Sequence, residues 1–508
     1  MMDILYNVFI FPVEQLIGLS YIFSLRVFHD PALSIFGISL AISVLTLPLY
    51  FRAEKYQHSE QDLKKRLQPV IDNIKSVFSG NERFMRISIY YRQNGYHPIY
   101  ALRSSLSLFI QIPFFIAAYH YLANLELIKN VPFGPIVDLA KPDSLFTISG
   151  FTINILPVVM TLINCFSTAV YTKNFPVKDK IQLYGMAAIF LLLLYHSPSG
   201  MVLYWTGNNI FSLCKNIIQK TKYPKRIVHV LVSIACFILI FFVLFLHKGE
   251  ILRRIFLSVL LTCIPLFPFV FKILSAKIKQ IFRRRENNYY TDSIFILSLL
   301  TIFLLGGLVI PSSLIASSVQ EFSFIENNKS PYPFIANTAL QSLGVCILWP
   351  LLIYLMFSQN IKRKMAKISI SLAGMAIVNV FLFQGDYGFL TNMFIFSKIV
   401  QSTTTINLLN LFLIVLIATL FLLFMDKFRK VLVSGLVIAI FAFILSGAMN
   451  FMNINREFHN FQQIIENSIV TDTTDITDKP TYRFSKNGKN VLLIMLDRAI
   501  NGYLPYIF

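Results

Sequence analysis

Charged side chains are scarce in this sequence: Asp, Glu, Lys and Arg together make up only 14% of its 508 residues. Hydrophobic residues make up 56%, and uncharged apolar runs such as 230–246 and 411–425 recur along the chain. A soluble domain of this length could not bury that much apolar surface. A helix needs roughly 20 apolar residues to cross the hydrocarbon core, and lipid offers no partner to unpaired backbone groups, so we predict an all-α polytopic membrane protein.

Cysteine and acidic residues are also few. The five cysteines lie inside apolar segments without CxxC spacing, so we predict small packing residues rather than disulfide partners or metal ligands. The 25 acidic residues are outnumbered by 45 basic ones, which gives a formal net charge of +20. The basic residues form short clusters between apolar runs, as in the cytoplasmic loops of membrane proteins, and the sequence has no nucleic-acid-binding motif.

The apolar runs fall into two groups. In the first group, residues 4–24 predict an interfacial helix or a span, and Pro12 and Glu14 favour the interfacial alternative. The first predicted span is 33–51, and the polar stretch 52–96 has apolar residues at helical spacing, which predicts a helical hairpin. Four further spans are predicted at 99–123, 152–172, 182–196 and 200–219.

The second group of apolar runs begins after a basic cluster at 220–226. From Asn450 the composition becomes polar, which predicts a linker into a water-exposed domain. The predicted organisation is a five-span unit over 1–222, a membrane region of unassigned role over 223–449, and the linker and start of an α/β domain over 450–508. Seven spans are predicted in the middle region: 227–246, 255–274, 293–316, 337–358, 368–385, 404–425 and 431–449.

The basic clusters predict an orientation. With the hairpin 52–96 in the cytoplasm, alternating spans place five further basic clusters on the same side, and the tail from Asn450 becomes extracytoplasmic. The cluster 247–254 is the exception, because the same alternation puts it outside. The five agreeing clusters are 173–180, 220–226, 277–285, 362–367 and 427–430.

Two stretches carry a family resemblance. The first is Tyr91-Arg-Gln-Asn-Gly-Tyr-His-Pro98, followed by Ile110-Gln-Ile-Pro-Phe-Phe115. The second is longer and more specific: Ser197-Pro-Ser-Gly-Met-Val-Leu-Tyr-Trp-Thr-Gly-Asn-Asn209. Together with the order of hairpin and spans, these stretches resemble the YidC-type family of membrane-protein insertases, over about residues 1–222.

The resemblance implies that five spans enclose a polar groove, where a nascent membrane segment rests while its polar flank crosses the bilayer. Insertion of this kind needs no nucleotide hydrolysis and no cofactor. The implied partners are nascent membrane proteins and the lipid bilayer, in the bacterial plasma (inner) membrane. The hairpin 52–96 would receive the ribosome or translocase components; a solvated connector is the alternative for it.

The resemblance also directs attention to particular groove residues. The family carries an arginine five residues before a Pro-Leu pair of the first groove span; here the proline is Pro48, so Ser43 takes that position. Arg103, Ser107 and Gln111 are four residues apart and therefore share one helix face. We hypothesise that Arg103 replaces the missing arginine; the alternative is that it reaches lipid headgroups at the interface.

Four more polar residues are predicted to line the groove from the spans 152–172 and 200–219. The alternative for each of them is a hydrogen bond between neighbouring helices. These residues are Asn164, Thr168, Asn208 and Ser212.

The end of the chain carries a second, weaker resemblance. Residues 489–498, Lys-Asn-Val-Leu-Leu-Ile-Met-Leu-Asp-Arg, are similar to the opening strand of the alkaline-phosphatase/sulfatase superfamily. By that resemblance Asp497 would bind a divalent metal; a strand that ends in a capping Asp is the alternative. A complete site of this type needs several hundred residues, so we expect no enzymatic activity from these 508 residues.

Two functions follow from these patterns. The first is a membrane-protein insertase. The alternative is a membrane-anchored envelope enzyme of phosphotransferase or sulfatase type, truncated here, with the insertase-like part as its scaffold.

Overall fold

The computed structural model describes residues 2–97, 106–148, 151–172, 177–241, 243–244, 288–323, 330–383, 385, 403–473 and 489, together with separate positions between 251 and 266. These residues are helical almost throughout, and seven of their helices are long and apolar enough to cross a membrane. The predicted all-α polytopic fold is thereby confirmed. The predicted extracytoplasmic α/β domain lies outside the described residues.

The helices before residue 220 form what we call the first bundle. A π-helical turn, Tyr6–Ile10, joins its first two helices into one continuous helix, and two short strands pair antiparallel between α5 and α6. Its elements are α1 (Met2–Leu5), α2 (Phe11–Phe28), α3 (Pro31–Val77), α4 (Gly80–Gln93), α5 (Leu106–Ala123), β1 (Phe146–Ile148), β2 (Phe151–Ile153), α6 (Leu156–Tyr171), α7 (Val177–Leu194) and α8 (Ser199–Gln219).

The N-terminal helix bears on the choice between the interfacial and the spanning alternatives. Asp3–Phe28 is one of the segments long and apolar enough to span, which favours the second of the two sequence-based alternatives. Glu14 is accommodated because it accepts a hydrogen bond from the Tyr6 hydroxyl (2.6 Å) and lies 3.0 Å from Nδ1 of His120. An acid with such partners is far less costly in an apolar helix than an isolated one.

Helix α3 is a single helix of 47 residues that contains both the first predicted span and the first arm of the hairpin. It begins where the Asp30 carboxylate accepts a hydrogen bond from the Leu33 amide (2.8 Å), an N-cap that satisfies a free helix donor. The second arm, α4, ends at Gln93. The two arms meet through a small apolar core that includes Leu67 and Tyr96.

The connection between α5 and α6 folds over one end of the first bundle. Its backbone carbonyls at Leu139 and Lys141 accept hydrogen bonds from the amides of Gly200 and Ser199, both at 2.8 Å. The Ser-Pro-Ser-Gly motif therefore begins α8, and the backbone amides that have no partner within the helix donate hydrogen bonds to this connection. Gly200 is required by the close approach, because a Cβ there would lie 3.1 Å from a methyl group of Ile128.

After α9 (Pro224–Phe241), the helices from 288 to 473 form what we call the second bundle. π-Helical turns interrupt two of its helices, at Leu305–Val309 and Leu343–Leu348. Its helices are α10 (Asn288–Leu304), α11 (Ile310–Ser317), α12 (Tyr332–Ser342), α13 (Trp349–Met356), α14 (Gln359–Leu382), α15 (Thr404–Phe424) and α16 (Arg429–Thr473).

Helix α16 extends well beyond the predicted end of its span at residue 449. Residues 450–473, which the composition predicts to be a linker, continue the helix to Thr473. Ile454 and Phe458 are four residues apart and pack in one core with Ile315 and Val319. The polar composition hides this short apolar stripe, which is why the helix end was predicted too early.

The two bundles meet through backbone features that no sequence pattern predicts. The π-helical turn at 343–348 packs against the one at 6–10, and a Cβ on Gly344 would lie only 2.3 Å from the Val8 carbonyl oxygen. The Trp349 indole donates a hydrogen bond to the Phe9 carbonyl (3.1 Å), and Gln341 donates to the Asn7 side chain (3.1 Å). The second bundle is thus fitted to the N-terminal helix of the first.

Candidate functional site: a polar cavity in the first bundle

A cavity of about 270 Å³ lies among α3, α5, α6, α7 and α8. Hydroxyl, amide and charged groups line it on the α3, α6 and α8 sides, whereas α7 contributes apolar side chains. Its walls include Ser43, Thr46, Tyr50, Glu54, Gln57, Gln111, Asn164, Ser167, Thr168, Tyr171, Leu183, Met186, Phe190, Trp205, Asn208, Asn209, Ser212, Lys215 and Asn216.

Hydrogen bonds between α3 and α8 form one wall of the cavity. The Ser43 hydroxyl donates to the side-chain oxygen of Asn208 (2.9 Å). The Ser39 hydroxyl, one helical turn earlier, lies 2.9 Å from that same oxygen and 2.9 Å from the Tyr204 carbonyl. The helices approach closely here because Gly207 has no side chain; a Cβ would lie 2.5 Å from the Ser39 oxygen.

A second polar seam joins α6 to α8. The Asn216 amide donates to the Ser167 hydroxyl (3.1 Å), and that hydroxyl donates to Ser212 (3.4 Å). Two turns closer to the start of each helix, the Asn209 amide lies 3.5 Å from the Met160 carbonyl. The side-chain oxygen of Asn216 is buried and accepts no hydrogen bond from the described residues.

An ion pair lies at one end of the cavity. Lys215 Nζ of α8 and Glu54 Oε1 of α3 are 2.5 Å apart, and the two side chains are only 15% and 16% exposed. Within the described residues, Lys215 is the one cation in the cavity wall. Lys215 is four residues from the end of α8, and Glu54 stands where α3 leaves its apolar segment, so the pair marks the hairpin-side mouth of the cavity.

Aromatic rings support the other side of the cavity. The Trp205 ring centroid is 5.1 Å from those of both Phe115 and Phe190, which come from α5 and α7. Trp205 and the preceding Tyr204 are almost fully buried. The Trp205 ring is edge-to-face with Phe115 and tilted against Phe190. Aromatic pairs of this kind contribute about 0.5–1.5 kcal/mol each beyond the area that they bury, so they stabilise the packing of α8 beside the cavity.

The structure brings most of the predicted groove residues together. Six of the eight line this one cavity: Ser43, Gln111, Asn164, Thr168, Asn208 and Ser212. Helix α5 includes Ser107, but no contact of its side chain is described. Arg103 and the predicted metal ligand Asp497 lie outside the described residues, so the arginine-replacement and metal-site hypotheses stay predictions.

Sequence reasoning missed the charged pair and part of the α6–α8 seam. Glu54 falls in the predicted hairpin 52–96 and Lys215 near the end of the predicted span 200–219, where charges are ordinary, so neither was predicted to line the groove. The spacing of polar residues in the span 200–219 nevertheless pointed to this seam and to the lysine beside it. Asn216 continues the four-residue spacing of Asn208 and Ser212, and Lys215 is its immediate neighbour.

The comparisons with known proteins bear on this same part of the chain. Residues 23–226 match the family model described as 60Kd inner membrane protein. The membrane protein insertase YidC of Leptospira interrogans (serovar Lai) is 26% identical over 211 residues, which cover 38% of this chain and 32% of that protein. The membrane protein insertase YidC of Endomicrobium trichonymphae is 27% identical over 213 residues, covering 41% and 40%.

The predicted resemblance to the YidC-type insertases is confirmed. It covers the first bundle and therefore the walls of the polar cavity. The chain matches only a third to two-fifths of the length of these relatives. The resemblance of 489–498 to sulfatase-type enzymes finds no such support, and the described residues contain no group of three or more His, Cys, Asp or Glu side chains able to hold a metal ion.

Proposed function

We propose that this chain acts as a membrane-protein insertase of the bacterial plasma (inner) membrane. The observation that carries the proposal is the polar cavity, where hydroxyl and amide groups of α3, α6 and α8 gather inside otherwise apolar helices. A polar flank of a nascent segment loses its water partners in hydrocarbon, at several kcal/mol for each unsatisfied group. Partners inside the bundle lower that cost, so no nucleotide is needed.

The charge that the family resemblance assigns to an arginine of the first groove span is supplied by the neighbouring helix α8. Ser43 stands at the expected arginine position and binds Asn208. Lys215 brings a cation to the cavity from α8, with Glu54 as its internal counter-ion. A carboxylate in a client's polar flank gains this lysine as a partner when it displaces Glu54.

The hairpin offers a surface for the client's delivery. On α4, Phe84, Met85 and Ile89 are 74%, 61% and 51% exposed. Apolar side chains this exposed on a polar arm are typical of contact surfaces. They support the hairpin as the receiver of the nascent chain, with the ribosome or translocase components as its source.

The proposal is tested by complementation. The full chain is produced in a bacterium depleted of its own insertase, and translocation of a short client tail is followed by protease accessibility. We expect the full chain to restore translocation and the double variant Asn164→Leu/Asn208→Leu, which replaces two amides of the cavity wall with apolar side chains, to lose most of it. The matched control is Asn379→Leu/Asn410→Leu, which removes two amides bonded to each other (3.0 Å) in the second bundle.

The outcomes of this assay distinguish insertion through the cavity from insertion without it and from the absence of insertase activity. Restoration by the wild-type chain and by the control, but not by the cavity variant, supports insertion through the cavity. Equal activity of all three chains would show that the cavity is not used, and no restoration by any of them would refute the insertase function.

A further inference from the structure

Basic residues gather at one end of the second bundle. Two segments meet there: 358–367, which is the start of α14, and 425–430, which joins α15 to the start of α16. These two segments contain seven basic residues and one acid, Asp426. Because α14, α15 and α16 each include a segment long and apolar enough to span, their common end lies at the level of a membrane surface.

Three of these basic side chains converge on the single acid. The Asp426 carboxylate lies 2.8 Å from Arg363, 2.9 Å from Lys367 and 2.9 Å from Arg429. The three basic side chains are only 25%, 22% and 13% exposed, so they are drawn inward rather than spread into water. Burial alone would raise the pKa of Asp426, but hydrogen bonds and charge from these three groups lower it to about 2.

The helix directions add to the positive potential of this cluster. Both α14 and α16 begin here, and a helix N-terminus carries the positive end of the helix dipole. A basic residue in a first turn, such as Arg429 of α16, therefore opposes the usual preference for acids at that position. An external anion at this cluster relieves that repulsion.

We propose that the cluster of Arg363, Lys367 and Arg429 around Asp426 binds the phosphodiester headgroup of an anionic phospholipid. The phosphate contacts the basic groups on the side away from Asp426. The acyl chains follow exposed apolar side chains next to the cluster on α14 and α15, which are Ile368, Leu372 and Leu422. This apolar track favours a membrane lipid over free phosphate, because only a lipid occupies both parts.

The test is a titration of the full chain in detergent with phosphatidylglycerol, with bound lipid counted by native mass spectrometry. Each cation near an anionic lipid surface contributes about fivefold in affinity, so Arg363→Gln/Lys367→Gln should bind phosphatidylglycerol about 25-fold more weakly. The matched control is Lys427→Gln/Lys430→Gln, which removes the same charge from exposed positions of the same turn. We expect it to change the affinity by less than about threefold.

A second variant covers the case in which the double variant does not fold. Asp426→Asn leaves the three basic groups in place and removes the carboxylate that competes with the lipid, so phosphatidylglycerol should bind at least as tightly as to the wild type. Added phosphatidylglycerol should also raise the melting temperature of Asp426→Asn more than that of the wild type. Weaker binding to Asp426→Asn would overturn the proposal.

Two further arms identify the ligand. Phosphatidylcholine, which is zwitterionic, and inorganic phosphate should each bind far more weakly than phosphatidylglycerol. Equal binding of phosphatidylcholine, equal protection by inorganic phosphate, or equal loss in the control variant would each contradict a site for an anionic phospholipid.

Discussion

The ion pair at the mouth of the cavity makes the sharpest prediction about how a client is held. Lys215→Gln removes the cation and leaves Glu54 without it, at a site where both side chains are about 15% exposed. Glu54→Gln instead leaves the lysine and removes its internal carboxylate. If Lys215 binds acidic groups of a client, these two neutralisations must have opposite effects, although each breaks the same pair.

The size of the effect follows from burial. Removing one member of a buried ion pair costs about 3–5 kcal/mol, because the other charge remains in a poorly solvated place. Lys215 and Glu54 keep some exposure, so the cost of breaking this pair lies at the lower end of that range, about 3 kcal/mol. A cost of this size lowers the population of molecules with an intact cavity mouth roughly a hundredfold. The double variant Glu54→Gln/Lys215→Gln leaves no isolated charge, so most of that loss should be recovered.

The assay compares two clients that differ only in the translocated flank, one with acidic residues and one with glutamines in their place. We expect Lys215→Gln to reduce insertion of the acidic client about tenfold more than that of the neutral one. Glu54→Gln should leave the preference for the acidic client intact or increase it, and the double variant should insert both clients alike. Equal losses in both single variants, with full recovery of the acidic preference in the double variant, would show that the pair is only structural.

Three further predictions concern packing and charge. Gly344→Leu should lower the apparent melting temperature in detergent by about 5 °C or more, because the new Cβ would meet a carbonyl of the N-terminal helix. Gly435→Leu is the control and should not lower it, because nothing lies within 4 Å of a Cβ there. Equal shifts in the two variants would contradict the bundle interface. Gly207→Ala should destabilise the first bundle by about 1–3 kcal/mol by the same measurement, and Gly185→Ala should serve as its unstrained control. The pKa of Asp426 is lowered to about 2, so its ion pairs stabilise the fold above about pH 4 and that contribution is lost as the pH falls towards 2. The difference in melting temperature between the wild type and Asp426→Asn should therefore shrink between pH 6 and pH 2.5, and a constant difference would contradict this.

Much of the cavity was predictable because helical spacing is a strong signal in apolar segments. A polar residue inside a span is costly when it faces lipid, so pairs four residues apart, such as Asn164 with Thr168 and Asn208 with Ser212, are predicted to share one site. These four residues line one cavity. The same logic could not place Glu54 or Lys215. A charge near the end of a span is equally compatible with a loop, with headgroups and with a cavity, and only the packing of α3 against α8 decides among them.

The contact between the bundles was beyond sequence reasoning for a different physical reason. It depends on π-helical turns and on backbone-to-backbone approach at Gly344, neither of which leaves a periodic pattern. A glycine in an apolar helix is common, and its use as a contact point becomes visible only when the partner helix is in place. The long extension of α16 was missed because a stripe of two apolar residues, Ile454 and Phe458, is too short to stand out from a polar background.

The most direct test of the account is whether a client occupies the polar cavity. A photo-reactive amino acid is placed at Asn208, inside the cavity, or at Phe166, whose side chain is 67% exposed on the outer face of α6. The full chain is then irradiated with a stalled nascent membrane protein. We predict at least about tenfold more crosslinked client from position 208 than from position 166, with the 208 signal lost when the client's membrane segment is deleted. Equal yields from the two positions, or a signal from 166 alone, would contradict the central claim.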